Sequence, residues 1–163
     1  MSDATVMNRR EWMTRASAML AGGAVLAGLL PSPATAGTAK PTAITVYKDP
    51  SCGCCAKWVT HLQANGFAPE VHDRTDMDAF KDSVGVPTAL RSCHTAVIGK
   101  YVIEGHVPAS DVKKLVATAP KIVGLAVPGM VAGSPGMEMG ARADRYDVIA
   151  FAADGKTHPF AHH

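Results

Sequence analysis

Three of the four cysteines lie within four residues, Cys52-Gly53-Cys54-Cys55, and the fourth, Cys93, is followed directly by His94. Cys52 and Cys55 form a C-x-x-C pair, a spacing that serves two chemistries. A thiolate is the nucleophile of disulfide exchange and equally a soft metal ligand. The motif alone does not choose between them. A structural Cys52–Cys55 disulfide is a third use, but it leaves Cys54 and Cys93 without a role. A dithiol shuttle needs two thiols, and extra neighbours invite scrambling in an oxidising compartment. A bond between the adjacent Cys54 and Cys55 would demand a strained backbone. As ligands, all four thiols have a use. Soft thiolate and thioether donors select Cu(I) over hard cations, and bridging thiolates can hold several copper ions together. Zinc is the main competitor, though four-cysteine zinc sites usually draw on two well-separated pairs. Copper is therefore the favoured ion.

Further soft donors lie downstream. Met130, Met137 and Met139 fall in a glycine-rich stretch, where they serve either as mobile thioethers or as gap fillers beneath a loop. His94 and His106, the latter in Glu104-Gly105-His106-Val107-Pro108, are candidate imidazole ligands; a polar cap is the alternative for His106. His158, His162 and His163 could bind Cu(II) weakly but read as a solvated tail, and His61 and His72 as residues on solvated faces.

These residues need elements to position them. Ala43 to Tyr47 is a short β-branched run suited to a buried strand, and Lys48-Asp49-Pro50-Ser51 is turn-like. Cys55, Trp58, Val59 and Leu62 then recur at i, i+3, i+4 and i+7, one face of a helix closed by Gly66. The first thiol thus sits at a helix N-terminus, where unsatisfied amides stabilise a thiolate. Glu70 to His72 completes β-α-β. Asp76 caps a second helix with Met77, Phe80 and Val84 on its apolar face and Gly85 at its end. Thr95 to Ile98 and Tyr101 to Ile103 flank Gly99-Lys100, a type II′ hairpin pair. Pro108 opens a third helix with Val112, Leu115, Val116 and Ala119 on one face, and Pro120 stops it. The order β-α-β-α-β-β-α predicts an α/β, thioredoxin-like fold, a central mixed sheet flanked by helices. Lys121 to Arg145 reads as an irregular Gly/Met-rich loop, and Tyr146 to Phe151 with a short return strand as a C-terminal β extension. Val86-Pro87-Thr88 resembles the loop that faces the redox motif in thioredoxin-like proteins, which implies a cis Pro87.

Residues 1–36 read as an export signal. Asn8-Arg9-Arg10-Glu11-Trp12-Met13 carries a twin-arginine pair, Ala16 to Leu30 is an uncharged run too short to span a membrane comfortably, and Ala34-Thr35-Ala36 is an A-x-A cleavage site. The arrangement resembles a bacterial twin-arginine leader. The expectation is a periplasmic domain over residues 37–163 with no membrane attachment after cleavage. Over the whole chain of 163 residues the net charge is +2, too balanced for a phosphate-backbone binder, and 6% aromatic content leaves little for stacking on single-stranded nucleic acid. No nucleic-acid partner is expected.

Val46 to Cys55, Val86-Pro87-Thr88, Ser92-Cys93-His94-Thr95 and Tyr101 to Pro108 occur in that order. Together they resemble the CopG-like periplasmic copper-resistance proteins, a family long labelled a metal-binding domain of unknown function. The likeness spans about residues 43 to 155. It implies a thioredoxin-like domain that binds copper, as Cu(I), through Cys52, Cys54, Cys55 and Cys93, with weaker roles for His94, His106 and the loop methionines. It also implies a protein that stores copper, passes it to other periplasmic copper-handling proteins, or redox-cycles it between Cu(I) and Cu(II). The alternative from another class is a thiol–disulfide oxidoreductase with Cys52 as nucleophile and Cys55 as resolving thiol; under either redox reading these two are the catalytic pair.

Overall fold

A seven-stranded open sheet carries the sulfur motif at the end of one of its inner strands. The computed structural model describes residues 40–138, 140 and 142–163. The expected leader, residues 1–36, and Met139 lie outside the described residues. The elements run β1 (Thr42–Lys48), α1 (Gly53–Ala64), β2 (Phe67–Asp73), α2 (Met77–Ser83), a 3-10 turn (Thr88–Leu90), β3 (His94–Ile98), β4 (Tyr101–Glu104), α3 (Ala109–Thr118), β5 (Gly124–Ala126), β6 (Asp147–Phe151) and β7 (Thr157–His162). Up to α3 this is the β-α-β-α-β-β-α order read from the sequence.

The sheet order is β2-β1-β3-β4-β5-β6-β7. β1 pairs with β2 in parallel, as the α1 crossover requires, and with β3 antiparallel. β3 and β4 form the expected hairpin, with Gly99 at φ 56 in the turn. Strand alternation divides the side chains between two faces. Ile44, Val46, Ala96, Ile98, Tyr101 and Ile103 pack with Trp58, Val59 and Leu62 of α1 and Val112 and Leu115 of α3 in the main core. Tyr47 and Glu104 instead meet α2, through a Tyr47–Phe80 ring contact and a Lys81–Glu104 ion pair. Val86, Val102, Ala126 and Phe151 make a second, smaller cluster. The α1 face predicted from periodicity is the buried one. The α2 face is different: Met77, Phe80 and Val84 are only half-buried, and the fully enclosed residue is Lys81.

Three other expectations are corrected. Lys121–Arg145 is not wholly irregular, because β5 pairs with β4 and β6. Gly124 makes this possible: a Cβ there would collide with the Val102 carbonyl and approach the Phe151 ring to 2.8 Å. A glycine that reads as loop thus permits close strand pairing. The C-terminal histidines are not a free tail, since Thr157–His162 is the edge strand β7; Pro159 is tolerated there beside a register shift at Val148/Ile149. Pro87 is trans, as are all described peptide bonds. It leads into the 3-10 turn, with Leu90 N donating to Pro87 O at 2.9 Å, and the segment that reaches the sulfur motif is Cys93-His94 instead.

Candidate metal centre

Cys52 is the N-cap residue of α1, so Cys54 and Cys55 occupy its first turn, a turn that contains no acidic residue. Asp49 shapes the approach by accepting from the Ser51 amide at 2.8 Å. From the other side, Cys93 ends the loop that enters β3. The sulfurs of Cys52, Cys54, Cys55 and Cys93 all lie within 4.8 Å of one another. Cys54 Sγ stands 3.5 Å from Cys52 Sγ and 3.8 Å from Cys93 Sγ. Cys52 and Cys55 are joined in a disulfide, leaving Cys54 and Cys93 as the free thiols. In this oxidised state the cluster offers two thiols; reduction would offer four.

Cys93 also belongs to a second group, with His94 and His106, whose donor atoms again lie within 4.8 Å. His94 Nδ1 is 3.3 Å and His106 Nε2 3.1 Å from Cys93 Sγ. The His106 Nδ1 hydrogen bond to Pro135 O, 2.7 Å, fixes the tautomer: a carbonyl only accepts, so Nδ1 carries the proton and Nε2 keeps its lone pair toward the sulfur. His94 is wholly buried, 4.3 Å between ring centroids from Trp58, and its Nε2 has no hydrogen-bond partner. Burial pushes both imidazoles below their ordinary titration range, His94 strongly, with the neighbouring His106 and Lys81 adding to the effect there. They are neutral at physiological pH, the form that ligates metals. Burial likewise pushes the Cys93 thiol up to about 12, with Cys54 beside it contributing.

A loop straps the centre. Pro135 holds His106, and the next residue, Gly136 (φ +86), lies so close to α1 that a Cβ would sit 2.8 Å from Trp58 N and 3.0 Å from Cys54 O. Glu138 Oε1 accepts the Gly136 amide at 3.0 Å. Met137, half-buried, lies in this strap; Met130 is 61% exposed. Trp58 Nε1 donates to Val107 O at 2.9 Å, locking α1 to the turn between β4 and α3 that bears His106.

Several contacts around the centre are not reported by sequence pattern. His61, expected on a solvated face, accepts the Ala109 amide through Nε2 at 3.1 Å and so caps α3 from α1. His72 does lie exposed, paired with Glu70. His162 pairs with Asp147, and His163 with the buried Asp111 at 2.7 Å; these contacts occupy the side chains in holding β7. Behind Cys93, Lys81, Thr95 and Glu104 form a buried polar network. Its signal was present: Lys81 falls at i+4 from Met77, inside the stripe read as apolar.

The donor set suits a soft ion. Four sulfurs and two neutral imidazoles converge through Cys93, with no carboxylate among them. Among known proteins, the family described as "Protein of unknown function, DUF411" matches residues 90–137. No curated protein matches. Two solved structures do. "Copper resistance protein copG- Form 2" is 49% identical over 76% of this chain and 98% of that one, with a TM-score of 0.72. "Copper resistance protein copG- Form 1" is 50% identical, with the same coverage and TM-score. This chain belongs to the CopG-like copper-resistance family.

Proposed function

We propose that this protein is a periplasmic copper-binding protein of copper resistance, which takes up Cu(I) through Cys52, Cys54, Cys55 and Cys93 once the disulfide is reduced. The observation that carries this reading is the convergence of two donor groups on one sulfur, Cys93. His106 and His94 stand ready as imidazole ligands, and Met137 and Met130 as thioethers from the strap and its approach. Two groups sharing a sulfur favour more than one copper ion, because a thiolate can bridge. The same residues would let copper cycle between Cu(I) and Cu(II), the imidazoles favouring the harder ion. We read β1 to α3 as a thioredoxin-like unit, on the strength of the element order and the β2-β1-β3-β4 pairing. The periplasmic assignment rests on the twin-arginine pattern and on the copper-resistance relatives; among the described residues no helix is long and apolar enough to cross a membrane.

Anaerobic titration of the reduced protein, lacking residues 1–36, with Cu(I) against a competing chelator tests the reading. Tight binding that collapses in the Cys52→Ser, Cys93→Ser double variant is expected. Absence of tight binding, or binding indifferent to that double substitution, overturns it.

The Cys52–Cys55 disulfide supports a second reading, a thiol–disulfide oxidoreductase. A substrate thiolate would attack Cys52 Sγ and release Cys55 as thiolate. A second substrate thiol would then displace Cys52, leaving the substrate as a disulfide and both cysteines reduced. Catalytic oxidation of a dithiol peptide by metal-free protein, lost in Cys52→Ala, distinguishes this reading from copper binding alone.

A further inference from the structure

A buried ion pair lies on the face of the sheet away from α1, behind the sulfur cluster. Lys81 and Glu104 are 3% and 0% exposed at their side chains and 2.5 Å apart. Enclosing two charges is costly, and an apolar pair of similar volume often serves stability as well or better. What an apolar pair cannot supply is the set of hydrogen bonds made here. Glu104 Oε1 accepts from Lys81 Nζ and, at 2.6 Å, from the backbone amide of Ser92. Glu104 Oε2 accepts from Thr95 Oγ1 at 2.6 Å, and Lys81 Nζ also donates to Thr95 Oγ1 at 2.9 Å. The two residues so gripped, Ser92 and Thr95, bracket Cys93-His94.

The remaining ties in this segment fix Ser92 and the His94 backbone. Ser92 Oγ donates to Gly129 O, and the Gly105 amide to His94 O at 2.9 Å. Gly105, at φ +70, has no room for a Cβ, which would stand 2.6 Å from both Ser92 Cβ and Val127 O. Cys93 is thus the free-thiol member of a loop clamped on its near side by a carboxylate and on its far side by a strand.

We propose that the buried Lys81–Glu104 pair is a positioning device for Cys93: through the Ser92 amide it holds the sulfur between Cys54 and His106. Glu104 is a positioning residue, and Lys81 holds its carboxylate in place through the Nζ–Oε1 contact. The proposal deepens the copper reading and rests on it for the metal readout alone; the thiol readout stands apart from copper.

The test pairs two double variants of the reduced protein, Lys81→Met with Glu104→Leu, and Lys81→Met with Glu104→Gln. The first removes the acceptor of the Ser92 amide without stranding a charge, and the second retains a carbonyl oxygen for it. Iodoacetamide alkylation of Cys93 in the metal-free state, followed by peptide mass spectrometry, is expected to speed up in the Leu variant and return toward wild type in the Gln variant. Cu(I) affinity is expected to fall about 10- to 100-fold in the Leu variant, the usual effect of losing a supporting contact behind a ligand, and to recover in the Gln variant. A folded Leu variant with unchanged alkylation and unchanged affinity overturns the proposal, as does a Gln variant that behaves like the Leu one. Wild type that binds no Cu(I) overturns the copper reading while alkylation still decides this one. Should the Leu variant fail to fold, the wild-type Ser92 amide decides: a downfield, slowly exchanging proton is expected, and a freely exchanging one overturns the assignment.

Discussion

Cys93 Sγ and His106 Nε2 lie 3.1 Å apart, with the far nitrogen of the same ring anchored on Pro135 O. A main-chain carbonyl on the Gly-rich strap therefore decides which imidazole nitrogen faces the sulfur cluster. Strap, tautomer and candidate ligand form one unit, so a change in the strap is felt at the sulfurs without touching a cysteine.

His106→Ala should lower Cu(I) affinity by about 10- to 100-fold, comparable to removing a supporting group at a metal site. Cys93→Ser should cost more, because Cys93 belongs to both donor groups. Competition titration with a Cu(I) chelator checks both. Equal losses in the two variants would contradict the shared position of Cys93.

The redox state should set capacity. As it stands the cluster has two free thiols, Cys54 and Cys93. Reduction of Cys52–Cys55 is expected to double the titratable thiols and raise the number of copper ions bound per chain. Thiol counting alongside elemental analysis, before and after reductant, measures this. Identical copper content in both states would mean that Cys52 and Cys55 are not ligands.

Much of this centre was legible in the sequence, and the limits have physical causes. The helix that begins at the cysteines was readable because Cys55, Trp58, Val59 and Leu62 keep helical spacing and nothing overrides it. Cys93, His94 and His106 were placed near the cysteines by a resemblance in motif order, which local spacing alone does not give. What stayed hidden is what tertiary contact decides. Lys81 falls within the apolar stripe of α2, but its partner Glu104 lies 23 residues further on, where no local pattern reports it. Pro135 contributes only a carbonyl, which no side-chain pattern reports. Gly124 reads as a loop until the Val102 backbone is seen to need its space. The last histidines read as a tail because β7 is largely exposed and polar, and because the partner of His163, Asp111, lies 52 residues back along the chain.

Copper uptake should release protons. The Cys93 thiol, pushed up to about 12 mainly by burial, is protonated at neutral pH in the metal-free protein. Each proton displaced makes apparent affinity rise roughly tenfold per pH unit. Cu(I) affinity is therefore expected to climb between pH 6 and 8, with proton release visible in weakly buffered solution. Affinity flat across that range would show that Cys93 binds without deprotonation.

Gly136→Ala tests the strap. At φ +86, with Trp58 N and Cys54 O at 2.8 and 3.0 Å from the new Cβ, the variant meets both backbone strain and a collision with α1. A loss of about 1–3 kcal/mol is expected from a residue forced into that region, or a strap displaced from α1. Displacement would free His106 Nδ1 from Pro135 and scramble its tautomer, readable by nitrogen-15 NMR of the ring. An unchanged melting temperature with an unchanged His106 spectrum would show that the strap does not press on the helix.

The metal-free fold should weaken in mild acid. His61, His94 and His106 are each held below the ordinary histidine value of 6.5, with burial the first cause in every case. The folded state thus disfavours protonation that the unfolded chain accepts. As pH falls through about 6.5, the unfolded state binds more protons than the folded one, and linkage makes stability fall with it. Above that pH their contribution is fully present. For His61 there is a visible reason: a protonated ring can no longer accept the Ala109 amide that it caps at 3.1 Å. His61→Ala should remove that cap at a cost of about 1 kcal/mol, and should flatten part of the decline between pH 7 and 5. Urea unfolding of wild type and variant across that range makes the comparison. A wild-type stability that rises on acidification would reverse the sign and refute the assignment.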